Sequence, residues 1–289
     1  MTARGSDRTP PIRVATLLGH AHVEMALACL GSLLRYSADP LALRVHEDGS
    51  LTAEDRERLR EGLGTPELVP RDEADQRVEA ALAGRPALRT FRRNNPLALK
   101  LIDIPLLAGD GDLPYCDSDV LFLRPFSDLF RFPAAAGAVF MSDRQNAYSV
   151  RSWHLLTQPR LALPCRVNSG ILHFRTRFFD LDLLEWYFSR PELGFAPVWS
   201  EQTAWALLGQ RAGCHLWDPR LIRLPGGGGE KNAVALHFVS PLRGLLPGFL
   251  ERAADRAGEP PVAVGTVPAR RCRPWDLAWT EARRRLARL

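Results

Sequence analysis

An α/β domain built on a mostly parallel sheet flanked by helices is the fold this 289-residue sequence predicts. Three observations carry that prediction. Near the N-terminus an apolar run, a helix-spaced stretch, an alternating strand and a second helix follow one another with short links. The composition, 46% apolar and 25% charged, is that of a globular chain long enough to bury a large core. Two short apolar runs bracket Asp117-Ser118-Asp119, as expected where a strand of an open sheet runs out into the ligand crevice.

The elements read in order. IRVATLL at 12–18 is a buried strand, and Ala15 and Thr16 sit in it. Over 22–37, Val23, Ala26, Leu27, Leu30, Leu33 and Leu34 repeat as one helix face. LALRVHE at 41–47 alternates as a second strand, and after the Asp48-Gly49 turn Thr52 is placed to cap a helix over 52–63. Residues 71–95 read as one helix and a loop, and 96–108 as a helix opened by Pro96. Strands follow at 113–116, 120–123, 136–142 and 167–174, then helices over 176–189 and 201–209. Short strands at 214–217 and 220–224 precede AVALHFV at 233–239. The expected organisation is a disordered tail at 1–11, a main domain at 12–255 and an extension at 256–289. That extension is a linker or wrapped segment to 274, then a basic amphipathic helix.

Bulk properties exclude several classes. No run of about 18 apolar residues could span a membrane, and the first residues lack the apolar core of a secretion signal. The five cysteines are scattered, odd in number and without a CxxC pair, which suits neither a disulfide framework nor a structural zinc site. The expected location is therefore the cytoplasm. The net charge is +5, and 36 of the 38 basic residues are arginines, Lys100 and Lys231 being the exceptions. The arginines are spread among acids rather than gathered in a stripe with aromatics, so no nucleic-acid partner is expected.

The chemistry centres on YCDSDVLFL. Paired carboxylates at a strand end supply the oxygen ligands that Mg²⁺ or Mn²⁺ prefers, and such an ion bridges diphosphate oxygens. The chain holds two other such pairs. Asp110 and Asp112 lie in a Gly-rich loop, and Asp180 and Asp182 in a predicted helix, where residues two apart do not face each other. Only Asp117 and Asp119 have apolar strand on both sides. Downstream stand Asn168-Ser169-Gly170 at a strand start, Glu201-Gln202 opening a helix, and His237 with Arg243 in HFVSPLR.

Taken in this order, the residues resemble glycosyltransferases of the GT-A fold, in particular the retaining group of glycogenin and the bacterial lipopolysaccharide galactosyltransferases. The resemblance covers roughly residues 12–250. It implies transfer of a sugar from a nucleoside diphosphate donor, most often a UDP-sugar, with retention of configuration. Asp117, Asp119 and His237 are then the ligands of Mn²⁺ or Mg²⁺. Lys100 and Arg243 face the diphosphate, and Ala15, Thr16 and Ser118 lie on the donor side. Asn168, Ser169 and Gly170 line the sugar pocket, with Glu201 and Gln202 near the reacting carbon. The acceptor is left open: glycan, lipid-linked glycan, protein or small molecule.

The chain departs from that pattern in two places. Gly19, His20, Ala21 and His22 follow the first strand where the family has an acidic and an amide residue, and Ser240 and Arg243 replace glycine and lysine. Two other readings are set against this one. A sugar-1-phosphate nucleotidyltransferase would need an N-terminal Gly-rich loop with Arg and Lys, which IRVATLLGHAH lacks, and a non-catalytic anion-binding protein would need a basic stripe. His20 and His22 could share an ion but read better as a nucleotide-facing loop. Gly226–Gly229 lacks the Gly-Lys-Ser/Thr ending of a phosphate loop and reads as a mobile loop. The terminal helix, with Trp275, Trp279, Leu286 and Leu289 on one face and Arg283, Arg284, Arg285 and Arg288 around it, is expected to pack on the domain. Contact with an anionic membrane through 275–289 is the second reading.

Overall fold

The computed structural model describes residues 10–254 and 256–286. Residues 1–9 of the expected tail, and the side chains of Arg284, Arg285, Leu286, Arg288 and Leu289, lie outside the described residues.

β1 (Ile12–Leu18), α1 (Val23–Tyr36), β2 (Leu41–Glu47) and α2 (Ala53–Gly62) form in the predicted order. β1 and β2 pair in parallel from Ile12 opposite Leu41 to Leu18 opposite Glu47. Thr52 caps α2 as expected. Its hydroxyl accepts the Asp55 N–H at 3.1 Å while the Asp55 carboxylate accepts the Thr52 N–H at 2.8 Å. β3 (Glu67–Val69), too short to show a period, extends the sheet beside β2.

The 71–95 stretch is two helices, α3 (Arg71–Ala81) and α4 (Pro86–Asn94), because Pro86 opens a new first turn. The helix expected over 96–108 forms over 97–108, with a wide π-turn at Leu99–Asp103 leading into α5 (Ile104–Ala108). Asp103 is buried against Arg92, accepting from Nε at 2.8 Å and Nη2 at 2.6 Å, which ties the turn to α4.

β4 (Asp112–Cys116), β5 (Val120–Phe122), β6 (Phe126–Ser127) and β7 (Ala138–Ser142) follow. Next come α6 (His154–Thr157), β8 (Val167–Arg175), α7 (Leu181–Phe188), α8 (Ser200–Ala212) and β9 (Cys214–Trp217). β10 (Ile222–Arg223), β11 (Ala235–His237), α9 (Leu246–Ala254), β12 (Val262–Ala263), β13 (Thr266–Pro268) and α10 (Pro274–Leu286) complete the chain.

The main sheet runs β13-β9-β7-β8-β4-β1-β2-β3. β1, β2, β3 and β4 are parallel to their neighbours in that half, and β7 is parallel to β9. β8 runs antiparallel between β4 and β7. A small sheet, β10-β11-β5, lies beside it. One apolar core holds α1 with β5 and β11, and a second holds α8, whose Trp205 is buried among Phe140 and Phe174. Each large side chain buried in this way contributes about 1.5–3 kcal/mol. No described helix is long and apolar enough to cross a membrane.

The 256–274 stretch is built into the domain. β13 pairs antiparallel with β9 as an edge of the main sheet, and β12 pairs with β6. Cys165 and Cys272 donate their N–H groups to Arg270 and Leu163, both at 2.7 Å, and this brings the two thiols together. α10 packs through the buried Leu277 and Thr280. Asp276 holds its start: the carboxylate accepts two bonds from Arg270 at 2.8 Å and the Arg273 N–H at 2.8 Å, and its carbonyl accepts from Asn146 at 3.2 Å.

The Arg270 guanidinium holds the Asp276 carboxyl down at about 2 against an ordinary 3.8. A depressed folded-state value stabilises the protein fully above the ordinary value and ceases to do so as pH falls through about 2. Asp276→Asn is expected to lower stability at neutral pH by about 1 kcal/mol, the scale of a partly exposed ion pair. It should also flatten the loss of stability between pH 4 and 2, read from urea midpoints across that range.

Candidate active site

β4 alternates, so Tyr115 and Asp117 lie on one side of the strand line, and the turn after Cys116 carries Asp117, Ser118 and Asp119 into β5. The turn is fixed from β8, whose Gly170 carbonyl accepts the Asp117 N–H at 2.7 Å. It is also fixed from beyond β11, where the Phe238 N–H donates to the Asp119 carbonyl at 2.8 Å. β11 runs antiparallel to β5 with His237 opposite Val120. A histidine far along the chain is thereby set beside the aspartates.

The imidazole Nε2 lies 3.0 Å from Asp119 Oδ1 and 3.6 Å from Asp117 Oδ2. One ligand atom from each of the three residues falls within 4.8 Å of the others. The donor set, two carboxylates and an imidazole, suits a divalent ion. Its second layer is present as well. Asn168 Oδ1 accepts the Gly170 N–H at 2.9 Å and faces His237 Nδ1 at 2.9 Å, while Asn168 Nδ2 donates to Asp143 at 3.1 Å. With its amide oriented in this way, Asn168 sets the hydrogen on His237 Nδ1 and turns Nε2 toward the aspartates.

Cations balance the carboxylates. Lys100, 2% exposed, reaches in from the π-turn. Its Nζ donates to both Asp117 oxygens at 3.1 Å and to Ser169 Oγ at 3.2 Å, and lies 3.6 Å from Glu201 Oε1. Burial pulls the Lys100 pKa down, but Asp117 and Glu201 more than reverse this and hold it above its ordinary value, so the ammonium stays charged. Arg243 donates to Asp119 Oδ2 through Nη2 at 2.8 Å and Nε at 3.2 Å. Burial works against the Asp119 charge, yet His237 and Arg243 keep its carboxyl at about 2. Burial likewise lowers the His237 value, and Asp119 and Asp117 raise it above the ordinary one. Glu201 is 4% exposed at the start of α8, and burial pushes its carboxyl up. Ser169 donates to Glu201 Oε2 at 3.0 Å, and Oε1 has no hydrogen-bond partner among the described residues.

Lys100, Asp117, Asp119, Asn168, Ser169, Gly170, Glu201, His237 and Arg243 thus form one connected cluster. Ser118 is half-buried between the aspartates. Ala15 and Thr16 lie buried in β1, Ala15 directly opposite Tyr115. Gln202 is adjacent but spends its amide on the Ala147 carbonyl at 2.8 Å. His20 and His22 diverge, His20 to Asp55 at 2.7 Å and His22 to Arg243 at 3.1 Å. Gly226–Gly229 is pinned: the Gly226 N–H donates to Glu230 at 2.7 Å, and Arg144 holds the Leu224 and Pro225 carbonyls. That loop borders a cavity of about 710 Å³ that shares no lining residue with the cluster. Asp180 caps α7 through the Leu183 N–H at 2.8 Å, which accounts for one of the other aspartate pairs.

Two members escaped the sequence reading. Tyr115, whose hydroxyl donates to Asp117 at 2.6 Å, was signalled only by its two-residue spacing from Asp117. Asp143, which fixes Asn168, carried no signal at all.

Gly170 is needed for space. A Cβ there would lie 2.2 Å from the His237 ring, which Asn168 and Asp119 hold in place. Gly170→Ala is expected to leave a folded protein with a displaced imidazole. Asn168→Ala should weaken Mn²⁺ binding about 10–100-fold through the lost orientation. Calorimetric titration with Mn²⁺ checks both, and wild-type affinity in both variants would refute this placement of His237.

No protein family model matches the chain, and no curated relative matches its sequence. Solved structures do share its fold. The galactosyltransferase LgtC, in complex with donor and acceptor sugar analogues, is 14% identical with a TM-score of 0.55, over 86% of this chain and 98% of that one. The bifunctional glycosyltransferase WbbM, in its apo form, is 12% identical with a TM-score of 0.54, over 88% of this chain and 51% of that one. Mouse xyloside xylosyltransferase 1, apo form, is 12% identical with a TM-score of 0.50, over 81% of this chain and 99% of that one. The fold of this chain is that of the GT-A glycosyltransferases.

Proposed function

We propose that the protein is a metal-dependent glycosyltransferase that moves a sugar from a nucleoside diphosphate donor, a UDP-sugar, to an acceptor hydroxyl with retention of configuration. The observation that carries this reading is the convergence of Asp117, Asp119 and His237 within 4.8 Å, beside Lys100 and Arg243, in a domain of GT-A fold. In this reading Asp117, Asp119 and His237 hold Mn²⁺ or Mg²⁺. When bound, the ion supplies positive charge against the donor's diphosphate.

The chain's own residues do the remainder. Arg243 and Lys100 carry fixed charge toward the diphosphate oxygens, where it is most effective as the leaving group gathers negative charge. Ala15 and Thr16 form the donor-side floor next to Tyr115. Glu201 serves the sugar through Oε1, which Lys100 Nζ approaches to 3.6 Å, and Ser169 and Asn168 hold the wall from which it works. Gln202 and Ser118 complete the donor contacts. The bond from the anomeric carbon to the diphosphate oxygen breaks with its electron pair going to that oxygen. The acceptor oxygen forms the new bond on the same face, and its proton is released. His237 would hold a cation through an unprotonated Nε2, so cation affinity would fall as pH is lowered.

A thermal-shift series of UDP-, GDP- and dTDP-sugars with and without Mn²⁺ tests the reading. The expected result is stabilisation by UDP-sugars that requires Mn²⁺ and disappears with EDTA. Asp119→Asn should fold and lose that response. Arg243→Ala should retain it in weakened form and lower kcat about 10²–10³-fold, or about 2.7–4 kcal/mol of barrier. Donor stabilisation that is equal in EDTA and in Asp119→Asn would end the metal reading, and a product linkage opposite to the donor's, read by NMR, would end retention.

A further inference from the structure

A cleft of about 260 Å³ opens between the loop that leads into β8, the loop after β7 and the outer face of α10. Its walls are cationic and aromatic. Trp275 and Trp279, one helical turn apart, stand 61% and 64% exposed while Leu277 and Thr280 of the same helix are buried. Arg283 lies 5.3 Å over the Trp279 ring. Arg144, Arg166 and Arg270 complete the basic lining. Arg270 is neutralised by Asp276, and Arg144 is bonded to the Leu224 and Pro225 carbonyls.

Arg166 differs from these. It is exposed in the cleft, and its side chain has no hydrogen bond or ion pair among the described residues. Its backbone is left-handed, φ 58°, a strained conformation for a side-chain-bearing residue. Two bonds enforce it: the Arg166 N–H donates to Asn146 at 2.9 Å, and its carbonyl accepts the Asp143 N–H at 2.7 Å. The cleft shares no lining residue with the carboxylate cluster, and the two are linked by chain neighbours. Arg166 is two residues before Asn168, and Arg144 follows Asp143, the partner of the Asn168 amide.

We propose that this cleft is the acceptor subsite and that it takes an anionic saccharide, a sugar bearing a carboxylate or phosphate. The proposal rests on the glycosyltransferase reading. Each indole carries an arginine over one face, Arg273 on Trp275 and Arg283 on Trp279, and the opposite apolar face is the kind that pyranose rings stack on. A guanidinium without a partner among the described residues recognises a carboxylate or phosphate by a two-pronged bond. The volume, below the roughly 300–1,000 Å³ of drug-sized sites, is that of a sugar ring rather than a large aglycone. A bilayer fits less well. Leu277 of α10 is turned into the domain, and Trp275, Trp279 and the charges line a concavity rather than a flat face.

The experiment titrates the intrinsic tryptophan fluorescence of the full chain with digalacturonate, with glucose 6-phosphate, with neutral maltose, and with vesicles of phosphatidylglycerol in phosphatidylcholine. Mn²⁺-dependent UDP binding is measured in parallel. The expected result is a saturable change with either anionic sugar and none with maltose, weakened about tenfold in Arg166→Gly, the loss of one charge-assisted contact. Glycine keeps the left-handed backbone, so that variant removes the guanidinium without added strain. Trp279→Ala should lose the response as well, and both variants should bind UDP as the wild type does. UDP binding with no response to either anionic sugar overturns the acceptor assignment alone. A response confined to vesicles overturns it in favour of a membrane surface. Sugar binding with no UDP binding at any metal concentration overturns the transferase reading instead, and the cleft is then a plain saccharide site.

Discussion

The structure depends on the compensation of buried carboxylates. Asp119 and Glu201, both buried, and the half-buried Asp117 converge where β4 ends, and like charges at such spacing resist burial. Lys100 offsets Asp117 and Glu201, Arg243 offsets Asp119, and His237 leans toward both aspartates. Removing one partner from a buried pair leaves an uncompensated charge, which costs about 3–5 kcal/mol. The arrangement is therefore coupled: each charge is tolerated because the others are there. The same set that is expensive to bury is suited to a cation and a diphosphate, whose opposite charges engage the two halves of the network.

The members arrive on several elements, and the fold supplies the geometry. β5 is torn from the main sheet to pair with β11, which draws His237 to the aspartate turn. β8, antiparallel between β4 and β7, presents Asn168, Ser169 and Gly170 to that turn. The absence of a Cβ at Gly170 leaves the volume that the imidazole fills. The π-turn places Lys100 inward, and Arg92 on Asp103 fixes its far end. Irregular turns of this kind often mark functional positions, since they redirect a side chain that a regular helix would carry elsewhere.

The C-terminal extension is hydrogen-bonded to strands that precede it. β13 extends the sheet, and the backbone bonds of Cys165 and Cys272 bind the segment to the strand that leads into Asn168. Arg166, in the cleft beside α10, is two residues before Asn168, which orients His237.

What the sequence determined by itself was the local and the periodic. The β1–α1–β2–α2 run was legible because each element satisfies its own period, and Thr52 was legible because a cap acts over three residues. The aspartate pair was legible as oxygen ligands at a strand end, and the ordered series from Lys100 through Asn168, Glu201 and His237 to Arg243 was legible through its resemblance to the GT-A glycosyltransferases. The π-turn, the split of 71–95 into two helices, β3 and β13 were not legible, because short or irregular elements are decided by what they pack against. Nor could the sequence show that Asn168 orients His237 through Asp143, that His20 and His22 part company, or that Cys165 meets Cys272. Those facts are contacts between distant positions. Tertiary structure alone decided them, because strand pairing fixes which side chains meet and no local pattern encodes the partner across a sheet.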